Sequence, residues 1–335
     1  MEAIAGITSN TVPWEILRAA GYSPTLMEYE AGPTPCADRF MEDVFDRRIR
    51  VIFDRLCSGA WKHLDVVVIP RTSEQEHKLY LYLREAARLH REVHMPRLYL
   101  YNLLHTRSTE SYDYGLERTR QMIRDFGATD AGLQDAIIES NGARAAVREI
   151  LKLRYEGRLN GSVALSMIQG FYTRNRDAFR LGNEEALRTF PNSPRILIKG
   201  ASLHHNGLHQ LVEKHGGYVV AEDDWRGSRA AGERDVRSDG DPATAIFEKY
   251  FYDTVSPRIL SDENDDWFRR QIESAQIHGV LFYVPLEDDV VGWDYPRQLA
   301  FLQTRGIPNL LIRNDEPTPE LDTQLSTFID RLHRG

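Results

Sequence analysis

The sequence predicts an α/β protein built from two doubly wound parallel sheets, with a helical segment between them. Three observations lead to this fold class. Short apolar runs alternate with amphipathic helical patterns in both halves of the chain. The clearest run, "LDVVVIP" at residues 64–70, is apolar throughout, as expected for a parallel strand covered by helices on both faces. A middle stretch, from about residue 112 to 188, shows only helical patterns.

The chain length sets the expected number of domains. A chain of 335 residues exceeds what one compact core usually holds, so two α/β domains are expected. We place the first at residues 1–110, the helical segment at 111–190 and the second α/β domain at 191–335. The two domains are predicted to share an architecture, although no repeat is visible at the level of residues.

The first half opens with a strand and then a helix whose start carries several signals. Ser9, Asn10 or Thr11 can cap this helix, Pro13 suits its first position, and Gly21 ends it. Strands are predicted at residues 3–8, 24–30, 64–70 and 96–103, and the later helices at 38–58 and 73–90, the last with Ser73 as its cap.

The second half repeats this order of elements. Strands that alternate with helices imply a parallel, doubly wound sheet of the flavodoxin or Rossmann kind. Strands are predicted at residues 194–201, 218–224, 280–287 and 307–315, and helices at 206–217, 242–255, 265–279, 295–306 and 319–334.

The composition excludes several classes of protein. A net charge of -8 argues against general nucleic-acid binding, which requires a basic face. No apolar stretch reaches the roughly 20 residues that span a bilayer, so no membrane segment is expected. The first residues, "MEAIAGITSN", show neither the basic nor the apolar region of a secretory signal. These features predict a cytoplasmic protein.

The cysteine content limits the possible metal chemistry. The two cysteines, Cys36 and Cys57, cannot form a disulfide framework, nor can they supply the three or four thiolates of a usual iron–sulfur cluster. We interpret both as reduced structural thiols, and Cys57 is predicted to be buried because it lies in an apolar helical pattern.

Polar side chains follow several predicted strands, and function in open parallel sheets gathers beyond the carboxyl ends of the strands. The stretch "AEDDWRGSR" after the strand at 218–224 is the richest such loop. Solvated turns and helix caps are the alternative interpretation at any single loop. The candidate residues in these loops are Ser73, Glu74, His204, His205, Asp223, Asp224, Trp225, Arg226, Arg229 and Asp288.

Several segments, in this order, resemble the subunits of 2-hydroxyacyl-CoA dehydratases and benzoyl-CoA reductases. "GITSNTVPWEILRAAGYSP" is similar to the opening of that family, "RILIKGASL" and "HGGYVVAEDD" resemble two of its later strands, and "LDTQLSTFIDRL" is similar to its closing helix. The likeness covers nearly the whole chain. Thr11 and Glu15, which lie in the opening segment, therefore join the candidate cleft residues.

The resemblance implies a fold, partners and a cofactor. In that family two homologous subunits pair, each made of two doubly wound domains, and cysteine thiolates from strand-end loops hold an iron–sulfur cluster. A separate ATP-hydrolysing iron–sulfur protein delivers one electron to a CoA thioester. The expected partners of this chain are therefore a homologous cysteine-bearing subunit, that activator protein and a CoA thioester.

This sequence departs from the family where the cluster ligands belong. The two loops with a family cysteine read Thr72-Ser73-Glu74 and Leu286-Glu287-Asp288, and Trp225 stands where some relatives have cysteine. Serine and carboxylate oxygens are poor substitutes for thiolates on such clusters. We therefore expect this chain to bind no cofactor or metal, and the iron–sulfur cluster to belong to a partner subunit.

Two roles are open for the loop that contains Trp225. Asp223, Asp224, Arg226 and Arg229 would fix the two domains by ion pairing while Trp225 fills the space of the cluster. Alternatively, Arg226 or Arg229 would bind a CoA phosphate or a carboxylate, and Trp225 would stack on the adenine or acyl group.

The leading interpretation is a cluster-free partner subunit of a dehydratase or reductase complex, which helps to enclose the CoA thioester. The alternative is a non-catalytic binding or assembly protein that uses the emptied cleft between the domains. A third, less favoured alternative retains a cluster with unusual ligands that include Cys36 or Cys57.

Overall fold

The structure of the chain is a computed structural model. It describes residues 2–28, 32–71, 73–90, 95–172, 190, 192–253, 261–286, 288, 291–314 and 317–334.

The first sheet has four parallel strands in the order β2-β1-β3-β4. The central strand β3 is buried at all five positions, which agrees with its uninterrupted apolar sequence. The order reverses between β1 and β3, so the loops after these two strands diverge at a crevice where such folds bind ligands. The strands are β1 (Ala3–Ile7), β2 (Tyr22–Leu26), β3 (Val66–Pro70) and β4 (Arg97–Tyr101).

Helices cover this sheet and bury its apolar side chains. The core on one face includes Phe53 and Leu56, from a helix whose apolar residues repeat every three or four positions, together with Val67, Leu79 and Leu83. The helices between the strands are α1 (Trp14–Ala19), α2 (Pro35–Phe40), α3 (Arg47–Cys57) and α4 (Glu74–Leu89).

In the middle of the chain, most of the described residues form helices, which are joined by short turns. Residues 173–189 lie outside the described residues, so the predicted helical segment is tested over only part of its length. The helices are α5 (Thr109–Phe126), α6 (Asp130–Tyr155) and α7 (Gly161–Gln169), followed by a 3-10 turn at Gly170–Tyr172.

The second sheet has four parallel strands in the order β6-β5-β7-β8, the same order as the first. The strands are β5 (Arg195–Gly200), β6 (Tyr218–Asp223), β7 (Gly279–Tyr283) and β8 (Asn309–Ile312). Its helices are α8 (Gly207–Lys214), α9 (Pro242–Tyr252), α10 (Ser261–Ser274), α11 (Val291–Gln303) and α12 (Pro319–Arg334). The predicted fold class, with two doubly wound parallel sheets, is confirmed.

The chain divides into two compact units. The first unit comprises residues 1–143, 172–174 and 232–259, and the second comprises 144–171, 175–231 and 260–335. The division falls inside α6. Helix α9, which follows the second sheet's strand β6 in sequence, belongs to the first unit, where it packs on α5.

Three predicted details differ from the structure. The predicted helix at 38–58 is two helices, because the chain turns at 42–45 and Asp46 caps α3 by accepting a hydrogen bond from the amide of Ile49. The predicted strand at 24–30 begins earlier, as β2 at Tyr22. None of Ser9, Asn10 and Thr11 caps α1, whose N-cap position is Pro13.

No helix within the described residues is both long enough and apolar enough to cross a membrane.

Candidate functional site

The candidate residues of the second unit lie beyond the carboxyl ends of β5, β6 and β7. Parallel strands bring these ends to one edge of the sheet. Glu222 and Asp223 close β6, and because successive side chains of a strand point to opposite faces, the two carboxylates meet different partners. The residues at this edge are His204 and His205 after β5, Asp223, Asp224, Trp225, Arg226 and Arg229 at the end of β6, and Asp288 after β7.

Glu222 is the centre of a buried polar network. Its Oε1 lies 2.6 Å from Nη1 of Arg154 on α6 and 2.5 Å from Nε2 of His209 on α8, and all three side chains are inaccessible to solvent. Ser228 donates to the second carboxylate oxygen over 3.1 Å and accepts from Nη2 of Arg154 over 2.6 Å. Burial alone would raise the pKa of Glu222, but the Arg154 charge and the His209 hydrogen bond lower it to about 2.

Asp223 points to the opposite face and is shared by two cations. Its carboxylate lies 2.8 Å from Nζ of Lys199 on β5 and 3.0 Å from Nη1 of Arg229. Burial opposes ionisation, yet the charges of Lys199 and Arg229 keep the pKa of Asp223 below its usual range. The Arg229 guanidinium also lies 5.5 Å from the centre of the Trp267 ring. Asp223 therefore forms ion pairs inside the second unit and links the strand-end loop, through Arg229, to β5, through Lys199.

Asp224 is buried, and within the described residues no cationic side chain lies at ion-pair distance from its carboxyl group. Its Oδ1 accepts hydrogen bonds from the backbone amides of Arg226 and Gly227, over 2.6 and 2.9 Å. Burial and the neighbouring charge of Glu222 raise the pKa of Asp224 to about 7, although the two amides oppose this shift. Asp224 is thus a carboxyl group that can both hold and release a proton near neutral pH.

Trp225, Arg226 and His204 lie next to Asp224. Arg226 is buried, its guanidinium lies 5.7 Å from the centre of the Trp225 ring, and its Nη1 is 3.3 Å from Nδ1 of His204. Trp225 and His204 are half-buried. These contacts bring an indole, a guanidinium, an imidazole and the Asp224 carboxyl group to one place at the sheet edge.

The side chains of His205 and Asp288 accept hydrogen bonds from backbone amides at the starts of helices. His205 accepts a hydrogen bond on Nδ1 from the amide of Gly207, the first residue of α8. The two carboxylate oxygens of Asp288 accept from the amides of Val291 and Gly292, over 3.2 and 2.8 Å, at the start of α11. Helix capping, the alternative considered for strand-end polar residues, describes both side chains.

The candidates of the first unit fall into two groups. Ser73 caps α4 as predicted, since its hydroxyl accepts from the amide of Glu76 over 3.1 Å, and Glu74 follows in the first turn. Thr11 and Glu15 are fully buried. The Glu15 carboxylate accepts a hydrogen bond of 2.8 Å from the hydroxyl of Tyr250 on α9.

The sequence prediction missed the residues beneath the loops. Glu222, Arg154, His209 and Lys199 are buried and charged or polar, and none of them was a candidate. One signal was available: Glu222 interrupts an otherwise apolar strand, and a buried carboxylate requires partners. Identifying Arg154 and His209 as those partners requires the structure, because they lie 68 and 13 residues away in the chain.

Comparison with known proteins identifies relatives only at the level of a family. A protein-family model described as "2-hydroxyglutaryl-CoA dehydratase, D-component" matches residues 10–332. No curated protein matches the chain. The match covers all the candidate residues and every strand of the two sheets except β1.

Proposed function

Because the chain belongs to the 2-hydroxyglutaryl-CoA dehydratase D-component family, we propose that it is a cluster-free subunit that pairs with a cysteine-bearing homologue. The family supports a subunit of a 2-hydroxyacyl-CoA dehydratase-type complex. The finer proposal is that the homologue holds the iron–sulfur cluster, that an ATP-hydrolysing iron–sulfur protein reduces it, and that a CoA thioester is the substrate. Dehydration and aryl-CoA reduction both remain within this proposal.

The observation that carries the proposal is the position of the two cysteines. Cys36 lies on α2 and Cys57 ends α3, and both are partly buried against the apolar core of the first sheet rather than in a strand-end loop. Burial, followed by the Cys36 and Asp54 charges, raises the pKa of Cys57 to about 12. Cluster ligation requires thiolates, usually three or four of them, so these residues do not fit an iron–sulfur cluster.

The residues at the cluster positions of the family also support the proposal. Ser73 and Asp288 cap helices, and Trp225 lies beside Arg226. Within the described part of the chain, no group of three or more histidine, cysteine, aspartate or glutamate side chains is arranged to hold a metal ion.

The strand-end loop of the second unit would supply substrate contacts in such a subunit. Arg226 and Arg229 suit a phosphate or carboxylate of the thioester, because a guanidinium binds oxyanions in a bidentate way, and Trp225 offers a surface for stacking. Asp224 would act as a proton donor or acceptor, since its pKa lies near the working pH.

Anaerobic co-expression with a cysteine-bearing homologue tests the proposal. We expect the two chains to purify together with iron, while this chain alone, after reconstitution with iron and sulfide, stays colourless. The double variant Cys36→Ser/Cys57→Ser should assemble and retain iron like the wild-type complex. About four irons bound by this chain alone, and lost in the double variant, would contradict the proposal.

A second candidate function is that of a non-catalytic binding or assembly protein. It is favoured because several polar side chains of the strand-end loops are already bonded to groups of the chain itself. Asp223 is held by Lys199 and Arg229, and His205 and Asp288 are held by helix starts. Calorimetry with CoA thioesters separates the candidates. A chain that stays monomeric beside the homologue and binds no thioester would support the second candidate.

A further inference from the structure

Three side chains that follow adjacent strands at the carboxyl edge of the first sheet have buried polar atoms without a hydrogen-bond partner within the described chain. They are Arg71, which follows β3, and Asn102 and His105, which follow β4. The two strands are paired with Pro70 opposite Tyr101, and the amide of Arg71 donates to the carbonyl oxygen of Tyr101 over 3.1 Å. The loops that carry the three side chains therefore start side by side.

The unpaired atoms are Nε of Arg71, Oδ1 of Asn102 and both ring nitrogens of His105. Other atoms of two of these side chains are held, since the amide of Asn102 donates to the hydroxyl of Tyr114 over 2.8 Å and Nη2 of Arg71 lies 3.8 Å from Glu74. Exchanging the oxygen and nitrogen of the Asn102 amide would leave its NH₂ group unpaired instead. His105 is 6% exposed, so solvent does not serve its ring.

An unpaired buried polar group is energetically costly. Each one destabilises a folded protein, and the great majority of such groups in native proteins have partners. Three of them on one stretch of a sheet edge therefore call for an explanation. The carboxyl edge of a parallel sheet is where ligands bind, and a ligand that brings the missing partners accounts for all three. The Arg71 side chain is 27% exposed, so this part of the edge borders solvent, although its Nε is itself buried.

The chemistry of the unpaired atoms indicates an uncharged ligand. Burial, and then the charge of Arg107, lowers the pKa of His105 to about 4, so at neutral pH its ring has one donor and one acceptor nitrogen. Arg71 adds a donor and Asn102 an acceptor. A carboxylate has no donor for the acceptor nitrogen of His105, and an ammonium group has no acceptor for Arg71 and would approach two arginines. A neutral amide supplies both kinds of partner.

We propose that Arg71, Asn102 and His105 form a binding site for a neutral amide group of a small-molecule ligand. For a subunit that acts on a CoA thioester, the pantetheine arm with its amides is the natural source. That identification of the source rests on the proposed function, whereas the amide site itself does not.

Titration of the wild-type chain, labelled with ¹⁵N-histidine, tests the site by NMR. Its probes are pantetheine, a neutral diamide (N-acetylglycine N-methylamide) and propionate. We expect the His105 ring signals, assigned by their loss in His105→Leu, to shift saturably with pantetheine and not with propionate. A response to the diamide alone would keep the amide site and reject a CoA thioester as its source. No response to either amide would overturn the site.

The variant His105→Leu provides a second measurement. If the ring has no partner, leucine removes an unsatisfied group and the free protein should melt at the same or a higher temperature. The rise in melting temperature caused by pantetheine should disappear, corresponding to binding weakened at least tenfold. In the control His215→Leu, which loses a 2.9 Å bond to Asp322, that rise should persist. A free His105→Leu protein that melts well below wild type would overturn the proposal.

Discussion

Glu222 and Asp224 are carboxyl groups two residues apart whose surroundings shift their pKa values in opposite directions. Glu222 faces Arg154 and His209, and its pKa falls to about 2. Burial and the Glu222 charge both oppose ionisation of Asp224, so its pKa rises to about 7. Two neighbouring carboxyl groups with separated pKa values are typical of sites that transfer protons. Glu222 is therefore the fixed charge of this loop and Asp224 its titrating group.

Replacing Asp224 with asparagine should change how stability depends on pH. Folding raises the pKa of Asp224, so its protonated form stabilises the folded state below about pH 4, and this contribution is lost as the pH rises through about 7. Asparagine keeps the acceptor for the two backbone amides and does not titrate. We expect Asp224→Asn to gain stability relative to wild type, by a few kcal/mol, between pH 5 and pH 8.

Urea unfolding of both proteins at pH 5 and pH 8 measures this difference. Asp239→Asn, which also removes a carboxylate but at an exposed position outside the loop, is the control. A constant difference between Asp224→Asn and wild type across this range would contradict the assigned titration.

At the scale of secondary-structure elements, one carboxylate links two helices to a strand. The Glu222 side chain on β6 bonds residues of both α6 and α8. Arg154 comes from α6, His209 from α8, and both bond Glu222 near the end of β6. The hydroxyl of Tyr218, at the start of the same strand, donates to the carbonyl oxygen of Arg154. This network positions the strand end that leads into Asp224 and Trp225.

Replacing Arg154 with methionine should strongly destabilise the second unit. The change leaves the Glu222 carboxylate buried without its main partner, and breaking such a pair costs about 3–5 kcal/mol. Chemical unfolding measures the loss. Arg158→Met removes a surface pair with Glu156 and should cost under about 1 kcal/mol. The double variant Arg154→Met/Glu222→Leu should recover much of the loss, and an additive result would contradict the network.

Strand β5 ends at a point where only glycine fits. Gly200 has a φ of +148°, and a Cβ there would lie 1.8 Å from the carbonyl oxygen of Tyr283 on β7. That oxygen also accepts the amide of Ala201 over 2.9 Å, which brings the two strand ends close together. The turn into His204 and His205 starts from this contact.

Gly200→Ala should therefore cost on the order of 3 kcal/mol or more in thermal unfolding, because the clash is with backbone rather than with a movable side chain. Gly142 lies inside α6, and a Cβ there would meet nothing within 4 Å. Gly142→Ala is the matched control, and the higher helix propensity of alanine should stabilise it by up to about 1 kcal/mol. Equal melting temperatures for the two variants would contradict the close contact.

The whole chain has the doubly wound architecture that the sequence predicts, in both units, while the resemblance to the family implies cluster cysteines that its strand-end loops lack. Both sheets have the same strand order, and the family match runs from residue 10 to 332. The sequence contains only Cys36 and Cys57, both on helices of the first unit. The proposed role as a partner subunit is therefore tested by studying the chain together with a homologue.

Much of the fold could be predicted because apolar periodicity is a local property. The run at 64–70 indicates a buried strand by itself, and the cap at Ser73 can be read from neighbouring residues. The break between α2 and α3 was not predictable in this way, because both helices have apolar residues at helical spacing and the turn between them lacks proline and glycine.

The sequence by itself determined the alternation of strands and helices, the family, the scarcity of cysteine and the identity of the polar strand-end loops. Only the tertiary structure decided what these polar groups do. Pairing and burial depend on residues distant in the chain: Arg154 and His209 keep Glu222 ionised, and Lys199 and Arg229 hold Asp223, whereas within the described residues Asp224 has no cationic side chain at ion-pair distance. Periodicity reports which side chains leave water, whereas the electrostatic environment of a carboxyl group depends on which elements meet there.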